Sequence, residues 1–251
     1  MSISVILPYL IVSVVAIVFG QILGQLVKKM PPVVKEEITY KEFFSGIDRD
    51  FKIDFKYSFI LLVLYNSLIY FIGNVYNIYF YMIIIFALML VFSIDYRFQL
   101  IPDEVHVLIS LCGFINLFIN LSSWWSYLLG ALAGGLIFWL LGLLALLIFK
   151  KEGMGFGDIK LMAALGLFFG LKYIIVIALV SFVFGAIIGG ILLITKKKDG
   201  GSYIPFGPFI VIGAIILMFV KADTIIDIYI TFCSWLGNVM FDWIFKLMNK
   251  S

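Results

Sequence analysis

Two aspartates carry the most pointed chemistry in this chain of 251 residues. Asp95 ends an apolar run that begins at Ile78, and Asp158 opens another that reaches Gly170. Acids beside hydrocarbon are costly to keep charged, so their presence points to a proton relay, an ion path or acid–base catalysis. A pair suits hydrolysis, because two neighbouring carboxyls in a low-dielectric site do not both ionise easily: one keeps a proton and the other activates water. The titration of such a pair belongs to both residues together. A structural reading stands beside this for Asp158, which is placed to cap the helix that starts at Ile159.

The backbone around the two acids is unusual. Asp158 follows Gly153-Met154-Gly155-Phe156-Gly157, a run too rich in glycine for an ordinary helix and suited to close approach by another segment. Asp95 is followed by Ile101-Pro102-Asp103, where proline interrupts the helix after a short turn. Far downstream, Ile204-Pro205-Phe206-Gly207-Pro208-Phe209 is again irregular, and irregular backbone at membrane depth needs protein or water to satisfy it. Lys160 could stabilise charge or meet a substrate; as a boundary lysine it could equally snorkel. Asp103 and Glu104 could greet a basic substrate, and they also complement the dipole of the helix they precede.

The elements that must position these residues are membrane helices. The chain is 64% hydrophobic and 13% charged, against about half and a quarter for soluble domains. Apolar runs recur near the length of about 20 residues that a helix needs to cross a bilayer. Val5 to Val27 is a retained first span: it is too long for a signal-peptide core and lacks a basic start and a small-residue cleavage site. Further spans read at Tyr57 to Gly73, Ile78 to Ile94, Val105 to Leu121, Tyr127 to Phe149, Ile159 to Gly170, Tyr173 to Thr195 and Phe209 to Val220. The expected fold is therefore all-α, a polytopic helical bundle of about eight transmembrane helices followed by a C-terminal amphipathic helix. Its parts are a first helix (residues 1–27), a cytoplasmic loop or small subdomain (28–56), a transmembrane core (57–221) and the C-terminal helix (222–251), which should lie in the interface.

Charge sets the orientation. Lys28 to Lys56 carries seven basic and six acidic residues, and Pro31 and Pro32 should end the helix before it. With that loop in the cytoplasm, Arg97, Lys150, Lys151 and Lys196 to Lys198 fall on the same side, leaving Lys172 and Lys221 opposite. The opposite turns hold Trp124, Trp125 and Tyr127, residues that favour the headgroup belt. The C-terminal helix alternates Asp227, Thr231, Ser234, Asn238, Asp242 and Lys246 with Ile228, Phe232, Trp235, Val239, Trp243 and Leu247, an amphipathic pattern. Three GxxxG pairs, Gly130/Gly134, Gly166/Gly170 and Gly185/Gly189, are read as helix-packing sites. Cys112 and Cys233 lie in apolar segments and are packing residues. His106 is the single histidine, too poor in neighbouring ligands for a metal site, and is read as structural. Nothing suggests a nucleic-acid role.

Asp95 with Pro102-Asp103, then Gly155-Phe156-Gly157-Asp158-Ile159-Lys160, then Pro205-Phe206-Gly207-Pro208-Phe209 resembles the ordered motif set of the type IV prepilin peptidases. The first span fits too, since Gly20-Gln21-Ile22-Leu23-Gly24-Gln25 through Met30-Pro31 is similar to the glycine-containing helix of bacterial members. The resemblance implies a GxGD intramembrane aspartyl protease of the bacterial cytoplasmic membrane that removes the basic leader from type IV prepilins or pseudopilins at the cytoplasmic face. It maps the catalytic aspartates onto Asp95 and Asp158, with Pro102, Asp103, Gly155, Gly157, Lys160, Pro205, Gly207 and Pro208 as substrate-binding or supporting residues. It also brings an expectation of N-methylation with S-adenosylmethionine.

The chain departs from the family pattern in one place. Many bacterial members carry two CxxC pairs after the first span; here neither is present, so zinc is not expected, and Tyr40, Phe43, Phe44, Phe51 and Phe55 would form the small core of that region. A transporter or channel using the acids as a proton relay is the competing class, but it would more naturally hold them near the midplane and show internal repeats. A presenilin-like protease shares the GxGD logic, yet its Pro-Ala-Leu motif is absent and Pro205-Phe206-Gly207-Pro208 stands in its stead.

Overall fold

The computed structural model describes residues 3–34, 55–72, 78–150, 154–195 and 205–248. Every described element is a helix: α1 (Ile3–Val34), α2 (Phe55–Ile72), α3 (Ile78–Phe98), α4 (Asp103–Ile119), a short 3-10 turn at Leu121–Ser123, α5 (Trp124–Phe149), α6 (Phe156–Phe169), α7 (Leu171–Ile194), α8 (Gly207–Phe219) and α9 (Ala222–Met248). Six of them, α1, α2, α3, α5, α7 and α9, are long and apolar enough to cross a membrane. The chain is a polytopic helical membrane bundle, as the composition implies. Residues 35–54, 73–77, 151–153 and 196–204 lie outside the described residues, and with them several flanking lysines, Gly153 and the expected subdomain core except Phe55, which starts α2 and is exposed, not part of a core.

Three spans read from hydropathy are short. The helix α4 has 17 residues, α6 has 14 and α8 has 13; at about 1.5 Å per residue, α6 covers roughly 21 Å of a hydrocarbon layer near 30 Å. Chain breaks set these lengths. Phe169 is the last helical residue of α6 because Gly170 adopts φ 83° and ψ 173°, a conformation open only to glycine. The Gly170 N–H still donates to Gly166 O at 2.9 Å, and the amide of Asn116 on α4 donates to Phe168 O at 2.9 Å, so carbonyls at the cut end have partners.

One expectation fails at the first helix. Pro31 and Pro32 do not end it: α1 continues through both to Val34, into the segment assigned to the loop. A proline φ near −65° is helical, so both fit the backbone, at the cost of the two amide donors that would have bonded the carbonyls one turn back.

The chain divides into two compact units, Met1–Phe219 and Val220–Ser251. Within the first, α3 is the most enclosed of the helices long enough to span, with 72% of its apolar window buried. Around it stand α1, α2, α4 and α8, while α6 lies among α4, α5 and α7. Lipid offers no hydrophobic drive for helices to associate, so close backbone approach and hydrogen bonds must do the work. At the α1–α2 contact Gly20 abuts the Ser58 backbone, and the Gln21 amide donates to Ser58 Oγ at 2.8 Å. Tyr65 donates from α2 to Met82 O of α3 at 2.8 Å.

The glycine pairs behave in two ways. A Cβ on Gly130 would collide with Gly166 O, one on Gly166 with Gly130 O, and one on Gly134 with Met162 O, so α5 and α6 touch backbone to backbone. Gly185 on α7 instead makes room for an aromatic ring, with Phe206 Cε2 3.0 Å from where its Cβ would be. The second unit is α9, whose Thr231 hydroxyl bonds Asp227 O at 2.7 Å and whose Ser234 bonds Thr231 O at 2.8 Å. Such back-bonding satisfies these hydroxyls within the helix.

Candidate active site

Asp95 sits one turn before the end of α3. The helix stops at Phe98, and Gln99 turns the chain with φ 55°, its N–H donating to Asp95 O at 2.9 Å. A left-handed residue other than glycine is uncommon and costs of order 1 kcal/mol, an expense typical of functional turns. Leu100 and Ile101 lead to Pro102, whose φ of −64° and ψ of 138° start α4.

Asp158 is not the cap of its helix, contrary to the structural reading. The helix begins at Phe156, Gly155 is the N-cap residue with extended backbone, and Asp158 stands in the first turn with its N–H donating to Gly155 O at 3.1 Å. A side chain at this third position can reach back to the cap backbone, and the Gly155 N–H faces the Asp158 carboxyl. The Gly207 N–H faces Asp95 in the same manner. Each acid is thus met by the backbone of one glycine.

Both carboxyls open onto one cleft of about 300 Å³, lined also by Gln99, Ile101, Asp103, Gly155, Phe156, Gly157 and Lys160. Asp95 is 4% and Asp158 3% exposed. Among the described residues, Asp95 Oδ2 and Asp158 Oδ1 are fully buried and have no hydrogen-bond partner. Buried polar atoms are nearly always paired, and an unpaired carboxyl oxygen costs on the order of 1–3 kcal/mol or more. The fold therefore holds two acids in a state it does not need for its own stability.

Lys160, two positions past Asp158, donates from Nζ to Asp103 Oδ1 at 2.7 Å and lies 5.1 Å from the centre of the Phe156 ring. That ammonium holds the Asp103 carboxyl below the usual carboxylate range. Gly157 packs against Ile101, whose Cβ would be 3.2 Å from a side chain placed there. Pro102 is buried at the start of α4. Pro205, Gly207 and Pro208 are buried too, and of these Gly207 reaches the acids: a Cβ on it would lie 2.5 Å from Asp95 Oδ2. Ile101 and Phe156, which stand inside the quoted motifs without having been named as site residues, line the cleft, and so do Gln99 and Leu100, which no motif includes. For these last two, proximity to Asp95 in sequence was the only signal.

No group of three or more His, Cys, Asp or Glu among the described residues is arranged to hold a metal ion. S-adenosylmethionine would need polar and acidic side chains around its adenosine and amino-acid ends. Two further cavities offer few: one is formed by Val107, Leu111, Phe114, Ala131 and Ala163 with His106, Ser110 and Lys160, the other by apolar residues of α1, α2 and α3 with Tyr79. Neither of these cavities fits that group.

Fold and cleft define a class: polytopic membrane proteins that hold a carboxyl pair inside a helical bundle. Comparison with known sequences is more specific. Residues 82–190, which include both aspartates, match the type IV leader peptidase family. Among curated proteins the chain is 38% identical over 141 residues to a prepilin leader peptidase/N-methyltransferase of Xanthomonas campestris, covering 56% of this chain and 49% of that one. Proteins of the same name are 37% identical over 155 residues in Legionella pneumophila (60% and 53% covered) and 36% over 143 in Pseudomonas aeruginosa (57% and 49%). The chain thus spans about half the length of the curated relatives it matches. No solved structure matches.

Proposed function

We propose that this chain is a leader peptidase acting on type IV prepilins or pseudopilins, with Asp95 and Asp158 as its catalytic pair. The observation that carries the reading is the pair of buried, unpartnered carboxyl oxygens on one cleft, in the segment that matches the leader peptidase family. One acid holds a proton and the other is ionised. The ionised member takes a proton from water as it attacks the scissile carbonyl; the protonated member donates to the oxyanion that forms. Backbone N–H groups of Gly155 and Gly207 face the carboxyls, and main chain cannot swing away as side chains can. Asp103, kept ionised by Lys160, offers negative charge to a basic leader at the cleft mouth.

The distribution of Lys and Arg supports a cytoplasmic position for this end of the bundle, and the likeness to leader peptidases of bacteria supports a bacterial cytoplasmic membrane. The relatives' names add N-methylation, for which the donor would be S-adenosylmethionine; no step of it is derived from these residues. The test is cleavage of a peptide with a basic leader and a following hydrophobic helix, read by mass spectrometry. Wild type should cut once, and Asp95→Asn and Asp158→Asn should each lose the cut by about a thousandfold or more while remaining folded. Substantial activity in either variant would sink the assignment. Repeating the assay with S-adenosylmethionine shows whether the new N-terminus gains a methyl group.

A further inference from the structure

His106, the chain's single histidine, lies one turn into α4 and is 7% exposed. Its Nδ1 is 3.3 Å from Asp103 Oδ1 and its Nε2 is 3.1 Å from Gly157 O. A carbonyl oxygen only accepts, so the second contact is a hydrogen bond only when Nε2 carries a proton. Gly157 is the residue before Asp158. Its carbonyl is held from α4, its Cα rests against Ile101, and one turn on Lys160 is tied to Asp103. The path from one acid to the other is therefore short and closed: from Asp95 along the 99–102 turn to Asp103 and His106, then across to Gly157 and Asp158.

We propose that His106 is a positioning residue, whose Nε2–H ties the Gly157 carbonyl to the start of α4 and so fixes the backbone from which Asp158 reaches the cleft. Asp103 Oδ1 lies on the other side, 3.3 Å from Nδ1, where it accepts a hydrogen bond only from a ring protonated on both nitrogens, and it also accepts from Lys160. Two ties of different kinds join α4 to the first turn of α6, and the histidine is the one that grips main chain next to the acid. Its effect on turnover rests on the leader peptidase reading; the tie itself does not.

Two isosteric variants separate the ring's two contacts. Glutamine places its amide nitrogen near the position of Nε2, and asparagine places its own near that of Nδ1. His106→Asn should lower kcat about tenfold to a hundredfold with KM nearly unchanged, while His106→Gln stays within about threefold of wild type, since a displacement near 1 Å at a reacting group costs on that scale. Equal loss in both variants, or no loss in His106→Asn, overturns the positioning role. Nitrogen NMR of isotope-labelled histidine, in protein purified without a histidine tag, reads one ring. A proton on Nε2 at the pH of the assay is expected, and a bare Nε2 overturns the tie. If wild type cuts no prepilin-like peptide, the proposed function fails instead, and the NMR measurement still decides the tie.

Discussion

Gly207→Ala puts a single methyl group against one acid. The new Cβ would lie 2.5 Å from Asp95 Oδ2, 3.0 Å from its Cγ and 3.3 Å from its Cβ. Carbon and oxygen settle at roughly 3.3 Å or more, so the carboxyl must retreat by about 0.8 Å. The glycine has no left-handed φ, so the backbone itself accepts alanine. Crowding of this kind costs about 1–3 kcal/mol, and alanine returns less than the roughly 1 kcal/mol of a helix interior because Gly207 is the first residue of α8 and precedes Pro208, leaving the fold within roughly 3 kcal/mol of wild type. Catalysis has no such offset: a carboxyl displaced by most of an ångström should lower kcat about a hundredfold. The assay is peptide cleavage by purified protein, alongside thermal unfolding of the same samples. Gly190→Ala is the control, because nothing lies within 4 Å of its Cβ, and it should match wild type in cleavage while gaining up to about 1 kcal/mol in stability. A Gly207→Ala protein that is folded and cuts within threefold of wild type would refute the claim that the Asp95 carboxyl must stay where Gly207 allows it.

Two further outcomes follow from the same geometry. Gly166→Ala drives a methyl group into the Gly130 backbone, which cannot rotate away as a side chain can, so the loss should appear as stability of about 1–3 kcal/mol in thermal unfolding; an unchanged Tm would mean that α5 and α6 can separate freely. Asp103→Asn removes an exposed pair with Lys160, worth no more than about 1 kcal/mol. Because the Asp103 carboxyl is held below its ordinary range, this contribution is present above the unfolded value of about 3.9 and is lost only as pH falls through the lower folded value. The small Tm gap between wild type and variant should therefore close on acidification, and a gap that widens would contradict the pairing.

The sequence carried the bundle and the meeting of its acids further than it carried the local turns. Asp95 and Asp158 are far apart in the chain, yet the order of their motifs and the three irregular segments placed them together, and one cleft does receive both. Hydropathy also located α4, α6 and α8, and the reading of Ile159 to Gly170 already made α6 short; what an apolar window does not register is why it stops, a single glycine at φ 83°. Gln99 was invisible for the opposite reason: its φ of 55° is imposed by the chain turning back from Asp95 to Pro102, with no glycine to announce it. Asp158 read as a cap because acids favour that position; the glycine before Phe156 takes it instead. His106 looked inert since its partners, a carbonyl and an acid three residues back, leave no trace in composition.

The contact between Gly130 and Gly166 has a consequence for how the chain meets different membranes. Gly166 is eight residues from Asp158, about 12 Å along a helix, and it admits no side chain on either surface. Sliding α6 by one residue would bring Leu165 or Leu167 to a place where a methyl group already collides. The depth of Asp158 is therefore keyed to its neighbouring helix and not to the thickness of the lipid. Hydrophobic mismatch can tilt the bundle as a whole, but it has little purchase on the register of α6 against α5.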